Sequence, residues 1–346
     1  MRCPTLTELP LPPEGKAGWP WTEGSPQLLE TMSNDSPWPR VSIITPSFNQ
    51  AGYLENTLRS VLLQGYPNLE YIIIDGGSTD GSVDIIRRYE PWLAYWVSEP
   101  DRGQAHGINK GFRRASGEII TWLNSDDSYL PGSITQAARA LQQHADIVYG
   151  KCRLVTPLGD VLATMDSPGP VTLRRLVMFW EHHWPFPPQP AVFFCRRVLD
   201  CVGLLDETLH YVMDPELWLR ALDYGFEFRF VDEIWAEYTI HPQSKTGGGH
   251  LPFDREALSV GRRYWHRLDA KDHLICRLAA SRLARGRRYL DRAFDAFAVS
   301  HWPSVRHWLW RALLNDPSRL RNRGVLSLCI KAWGRHHQVS RDRHVV

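Results

Sequence analysis

The sequence predicts an α/β protein: a mostly parallel central sheet with flanking helices, followed by an α-helical C-terminal tail. Three observations lead there. Short β-branched runs alternate with segments of helical periodicity from Val41 to about residue 123, and such alternation with short loops builds parallel sheets covered on both faces. The loops that follow the strands are far richer in Gly, Asn, Ser and Asp than the connections at the opposite edge. From about Asp254 onward the apolar residues recur at helical spacing.

Residues 1–39 carry eight prolines, as in "LPLPPEGKAGWPW", and are expected to form a poorly ordered leader. The first strand is "VSIIT". In "YLENTLRSVLLQG" Leu54, Leu58, Val61 and Leu62 share one face of a helix that stops at Gly65. "LEYIIID" is a second buried strand, "GSVDIIRRY" a helix capped at Ser82, and "LAYWVS" a third strand. "QAHGINKGFRRA" aligns Ala105, Ile108, Phe112 and Ala115 on one face, and "EIITWL" is the fourth strand. The α/β domain is placed at 40–250 and the basic helical region at 251–346.

At 346 residues the chain accommodates one large core with a smaller appendage. No apolar stretch approaches the roughly 20 residues of a membrane-spanning helix. The N-terminus lacks the charged-then-apolar layout of a secretory signal. Six cysteines form no C-x-x-C pair and lie in apolar segments, which fits buried, reduced thiols in a cytoplasm. The net charge of +2 conceals an asymmetry. Residues 251–346 hold 20 Lys and Arg against 8 Asp and Glu, whereas residues 1–250 hold 20 against 30. The two parts therefore meet different partners.

In open parallel sheets ligands sit beyond the carboxyl ends of the strands. Four loops fall at that edge: "PSFNQAG", "DGGSTDG", "SEPDRGQ" and "NSDD". The last sets two adjacent carboxylates, Asp126 and Asp127, directly after an apolar run. Like charges at the rim of a core repel unless a cation offsets them. The pair is thus either a metal site or a solvated turn whose side chains cap local backbone. No G-x-G-x-x-G follows the first strand and no G-x-x-x-x-G-K-[ST] occurs, which removes dinucleotide and P-loop sites. "DGGSTDGS" lacks the alternating carboxylates of a calcium loop.

These loops, in this order, resemble the inverting family 2 glycosyltransferases of GT-A fold. The similarity covers about Arg40 to His241, in "VSIITPSFNQAGYLENTLRSVLLQGYPNLEYIIIDGGSTDGS", "EPDRGQAHGINKGFRRASGEIITWLNSDDSYLPGSI" and "QPAVFFCRRVLDCVGLLDETLHYVMDPELWLRAL". The resemblance implies a UDP-, GDP- or dTDP-sugar donor, a glycan or lipid-linked acceptor, and Mg2+ or Mn2+. It implies that Pro46, Ser47, Asn49, Asp75 and Gly77 cradle the base and ribose, and that Gln104, Asn109 and Lys110 lie along the nucleotide and diphosphate. Ser125 would face the nucleotide sugar, Asp126 the ribose or the metal, and Asp127 would ligate the ion. Two positions depart from the pattern. Gly76 stands where many relatives carry a second aspartate, which leaves the base open. Asn124 replaces the first acid of the family's D-x-D element, which predicts weaker ion affinity.

Inverting transfer needs a carboxylate to take the acceptor hydroxyl's proton. In "HYVMDPELWLRALDYG" Asp214 stands where an N-cap belongs, and Pro215 suits a first helical position. The residues alone leave cap and base open; the resemblance implies the base, because "MDPELWLR" is similar to the family's E-D element with Met213 in place of the acid. Glu216 is the substitute candidate. Trp218 either walls the acceptor site or joins the core, and Gln189 and Trp184 are further acceptor candidates. His241 resembles a histidine that some relatives place near the metal or diphosphate. "SKTGGGH" reads as a flap, with Lys245 available to a phosphate. The Arg-rich tail either packs as a helical hairpin or meets an anionic membrane surface. No recognition motif accompanies its charge, which argues against nucleic acid. The expected activity is metal-dependent transfer that builds a surface polysaccharide or glycolipid at the cytoplasmic face. A non-catalytic sugar-nucleotide or glycan-binding protein is the alternative.

Overall fold

A run such as "VSIIT", apolar on both sides of the pleat, has to be covered on both faces. The computed structural model describes residues 1–167, 169–181, 186–242, 244, 251–321 and 323–334, and supplies that cover. β1 (Val41–Ser47) is buried along its whole length. It pairs in parallel with β2 (Leu69–Asp75) on one side and with β4 (Ile119–Trp122) on the other, and β2 pairs in parallel with β3 (Tyr95–Ser98). Between these strands run α1 (Ala51–Leu62), α2 (Ser82–Tyr89) and α3 (Gln104–Arg114). The predicted face of α1, Leu54, Leu58, Val61 and Leu62, is fully buried. α3 lies close on β1: a Cβ at Gly111 would stand 2.4 Å from Ile44 Cγ2. Ser82, expected to cap α2, is its first helical residue. The cap position is Gly81, whose φ of +98° suits glycine.

Strand–helix alternation, the signal for parallel pairing, stops after β4, and the pairing changes there. The chain continues through β5 (Ser128–Tyr129), α4 (Ser133–Leu141), β6 (Ile147–Val155), β7 (Val161–Met165) and α5 (Leu173–Val177). Then come β8 (Val192–Cys195), α6 (Arg196–Val202), α7 (Met213–Asp223) and β9 (Phe228–Thr239). All nine strands form one sheet in the order β3-β2-β1-β4-β8-β6-β9-β5, with β7 added to β6. β8 runs antiparallel to β4 and β6, and β9 is parallel to β6. The parallel expectation thus holds for the first four strands, and the remainder is mixed.

Residues 1–39, expected to be poorly ordered, instead lie against α1 and β2. Proline has no N–H to satisfy but keeps a carbonyl acceptor, and the fully buried Arg59 of α1 uses those acceptors. Its guanidinium donates to the carbonyls of Pro10 (2.8 Å), Pro20 (2.9 Å) and Trp21 (2.9 Å), and to the Tyr89 hydroxyl (3.2 Å). The Cys3 N–H donates to the Tyr66 carbonyl and the Ser25 N–H to that of Leu63, both at 2.9 Å. Cys3, Leu9, Trp21 and Trp38 are buried as a result.

The chain divides into two compact units, Met1–Gly248 and Gly249–Val346. The second contains α8 (Leu251–Arg262), α9 (Ala270–Ala298), α10 (Trp302–Asn315) and α11 (Arg323–Gly334). Leu290 and Ala293 of α9, Val305 and Leu309 of α10, and Val325 and Leu328 of α11 form its core. The helices break at Trp302-Pro303 and Asp316-Pro317, as the prolines require. Among the described residues no helix is long and apolar enough to cross a membrane. All six cysteines are free, and Cys201 is exposed rather than buried.

Replacing Arg59 leaves buried carbonyls without donors. Arg59→Leu is expected to lower the unfolding free energy by about 3 kcal/mol and to open residues 1–39 to limited proteolysis. Denaturant unfolding and cleavage mapping check both; an unaltered cleavage pattern would contradict the role given to Arg59.

Candidate active site

β1, β2 and β3 end level, since Ser47 pairs with Asp75 and Asp75 with Ser98. β4 ends lower. Its last residue, Trp122, pairs with Ile44, and the Leu123 N–H still donates to the Ile44 carbonyl at 2.9 Å. "NSDD" therefore starts below the rim of the sheet. Ser125 and Asp127 are buried, while Asn124 and Asp126 are partly exposed. Thr57 of α1 pins the loop, its hydroxyl 2.9 and 2.7 Å from the carbonyls of Ser125 and Asp127.

The two carboxylates have different environments. Asp127 is 1% exposed. Its Oδ1 accepts from the Thr239 N–H at 3.2 Å and its Oδ2 from the Asn124 amide at 3.1 Å. Burial first, and the Asp126 carboxylate second, push Asp127 well above the usual carboxylate range, against the pull of those two donors. Asp126 turns outward. Its Oδ2 lies 3.0 Å from His241 Nε2, just past the end of β9. The His241 ring is buried and stacks on Tyr53 of α1 with centroids 4.5 Å apart and planes at 22°. His241 Nδ1 is buried without a hydrogen-bond partner among the described residues.

Asn124 accepts from the Gln104 amide at 2.6 Å and donates to Asp127 and, at 3.4 Å, to the Gln189 carbonyl oxygen. A carboxylate at 124 could donate to neither and would add a third charge beside the buried Asp127. The amide at the departing position is thus part of what makes this loop stable.

The first three loops are tied around Asp75, which is fully buried. Its carboxylate accepts from the N–H groups of Gly77 (3.1 Å) and Ser78 (2.8 Å) and from the hydroxyls of Ser78 (2.5 Å) and Ser98 (2.7 Å). Asn49 joins the first loop to the second: its Oδ1 accepts from the Thr79 N–H, and its own N–H donates to the Ser78 hydroxyl. Gly77, at φ +87°, approaches the third loop so closely that a Cβ would lie 3.4 Å from Pro100 N. A Cβ at Gly76 would lie 2.8 Å from Asp101 Oδ2. Asp101 thus occupies the space that a side chain at 76 would need.

Residues 42–203 match the family model described as glycosyl transferase family 2. An uncharacterized glycosyltransferase of Mycobacterium tuberculosis is 35% identical over 189 residues, covering 53% of this chain and 69% of that protein. The chain belongs to glycosyl transferase family 2. Solved structures share its GT-A fold. S. aureus TarS 1–349 in complex with UDP-GlcNAc aligns with a TM-score of 0.55 at 17% identity, covering 85% of this chain and 89% of that one. In another S. aureus TarS structure the alignment covers 54% of that chain. A mannosyltransferase from Pyrobaculum calidifontis, in complex with GDP-Man and Mn2+, aligns with a TM-score of 0.50 at 20% identity, covering 86% and 88%.

In this glycosyltransferase the carboxyl edge brings together Gln104, Asn124, Asp126, Asp127, Gln189 and His241. Several expectations change. Asp127, expected as an ion ligand, is the inward carboxylate, because the early end of β4 sinks it. Asp126 is the one that meets His241. Ser47 and Pro46 lie buried within β1. Ser125 offers the loop its carbonyl rather than an exposed side chain. The oxygens of Asp75 are engaged by the loop itself. Asn109 turns away from the edge: its amide donates to the Leu205 carbonyl at 2.9 Å and accepts from the Leu205 N–H at 3.0 Å. Lys110 pairs with Glu99 at 2.8 Å. Gln189 braces the sheet, donating to the Trp122 carbonyl at 2.7 Å while accepting from Asn124. Trp218 is fully buried and stacks on Trp122 with centroids 5.8 Å apart, so it belongs to the core and walls no acceptor site.

Asp214 is the second residue of α7, not its cap; the N-cap is Val212. Glu216, the substitute base, is buried in an ion pair with Arg220 at 2.8 Å. Trp184 and Lys245, with most of the expected flap, lie outside the described residues. Sequence reasoning passed over Tyr53, which falls off the apolar face of α1, and Asp101 in "EPDRGQ". A half-exposed tyrosine one turn into a helix that follows an edge loop was the available signal for the first.

The raised Asp127 has a consequence for stability. The folded chain keeps a proton that the unfolded chain has released, so Asp127 favours folding most at acid pH, and stability falls as pH rises from the ordinary Asp range upward. Asp127→Asn is expected to flatten this component between pH 4.5 and 7.5 in ion-free buffer. Urea unfolding across that range checks it, and parallel profiles for the two proteins would refute it.

Proposed function

We propose that the enzyme moves a sugar, with inversion, from a nucleotide-diphosphate sugar to a glycan or lipid-linked acceptor, with Asp126 and His241 holding a divalent ion and Asp214 acting as base. One observation carries the ion site: an outward carboxylate and an imidazole nitrogen 3.0 Å apart, at the edge where the first four strands end. The donor set fits the group. Mg2+ and Mn2+ accept one or two protein ligands when substrate phosphates complete the shell, and imidazole suits Mn2+. Asp126 and His241 would hold the ion, which would supply positive charge against the departing diphosphate.

The remaining work falls to the protein. The loops joined through Asp75 and Asn49 present a fixed edge to the nucleotide, and Tyr53 holds the His241 ring by stacking. The Trp122–Trp218 stack sets α7 beside the exit of β4, and Asp214 precedes Trp218 by one turn, about 6 Å along the axis. From there its carboxylate takes the acceptor proton as the hydroxyl oxygen bonds to the anomeric carbon and the electron pair of the broken bond leaves with the diphosphate. Structures of this fold hold UDP-GlcNAc or GDP-Man, and either nucleotide is admitted here. The product is a surface polysaccharide or glycolipid made at the cytoplasmic face.

Asp214→Asn is expected to lower turnover by about 10² or more with donor affinity unchanged. Near-normal turnover would remove Asp214 from the role. Asp126→Ala is expected to abolish the Mn2+-dependent rise in melting temperature caused by donor, an effect that Asp127→Asn keeps. Loss in both variants would return the ligand role to Asp127. Failure of every UDP-, GDP- and dTDP-sugar to yield nucleoside diphosphate would leave a binding protein.

A further inference from the structure

α9 opens with a face that its own unit leaves uncovered. Lys271, Leu274, Arg277, Leu278, Arg282 and Arg285 recur at spacings of three and four, so they line one side of the helix, and all six are exposed. The opposite side buries Cys276 and Ala280. Among residues 271–288 the only carboxylate is Asp272, which is buried near the helix start. None of the four cations has an ion-pair partner among the described residues; Arg285 reaches only the neutral Asn315 side chain, at 3.4 Å.

Solvated arginines alone would say little. Leu274 and Leu278 lie between them, 56% and 57% exposed, and the same unit exposes Trp310 on α10 and Ile330 on α11. We propose that this face of α9 docks the enzyme on an anionic lipid bilayer, with the leucines entering the headgroup boundary and the cations lying over lipid phosphates. The charge selects an anionic partner. The leucines select lipid over nucleic acid, because a phosphodiester backbone offers charge without an apolar bed. The proposal is carried by the helical unit alone and stands apart from the reaction proposed above.

Cosedimentation of the full chain with vesicles tests it. The protein is expected to pellet with vesicles containing about one part in four phosphatidylglycerol at ~0.1 M salt, and to stay in solution with pure phosphatidylcholine. Arg277→Gln with Arg282→Gln is expected to weaken partitioning about 30-fold, roughly fivefold for each cation. Leu274→Ser with Leu278→Ser is expected to weaken it about tenfold at an unchanged melting temperature, since both side chains are exposed. Absence of pelleting overturns the proposal. So does binding that the leucine pair does not alter and that single-stranded DNA competes away, which would mark a polyanion site. A dimer lost in the leucine variant, with no vesicle binding, would assign the face to a second copy.

Discussion

Trp122 pairs with Ile44 rather than with Ser47, and the chemistry of the carboxyl edge follows from that offset. A strand ending level with its neighbours would lift all of "NSDD" into solvent. Ending short, β4 places alternate residues of the loop below the rim. Asp127 then meets the Thr239 backbone and Asn124, Asp126 is left facing His241, and the amide at 124 becomes necessary as the group that can both give and receive. The difference between two adjacent aspartates is one of depth, set by strand register.

The side of the edge built by the first three loops obeys a similar economy of contacts. Asp75 accepts four hydrogen bonds from the second and third loops, and Asn49 links the first loop to the second. Three loops are thereby locked into one body. A carboxylate so engaged has few acceptor sites left, and what it does is hold the surrounding loops in place.

Much of this was legible in the sequence. Period and loop composition indicate the four parallel strands, the helices between them and the polar loops at their carboxyl edge, because alternation and periodicity are local signals. What local signals do not carry is depth and direction. The difference in depth between Asp126 and Asp127 depends on which residue of β1 faces Trp122, a register that no spacing within "GEIITWLNSDD" encodes. Asn109 and Lys110 fall on α3 beside Gln104, yet the three diverge: Gln104 meets Asn124, Lys110 pairs with Glu99 of the third loop, and Asn109 turns inward to Leu205. The mixed pairing beyond β4 was hidden for the same reason, since partners arrive from distant parts of the chain. Residues 1–39 are ordered despite their proline content, because a proline lacks the N–H but keeps the carbonyl. Arg59 turns those carbonyls into a binding surface.

That N-terminal stretch also bears on the order in which the chain becomes structured. Its partners, Arg59, Leu63, Tyr66 and, through the Trp19 indole, the carbonyl of Tyr129, are all synthesised after it. As the polypeptide leaves the ribosome, this stretch therefore has nowhere to settle until α1 and the first strands have emerged. Made before its partners, it is fastened down only after them.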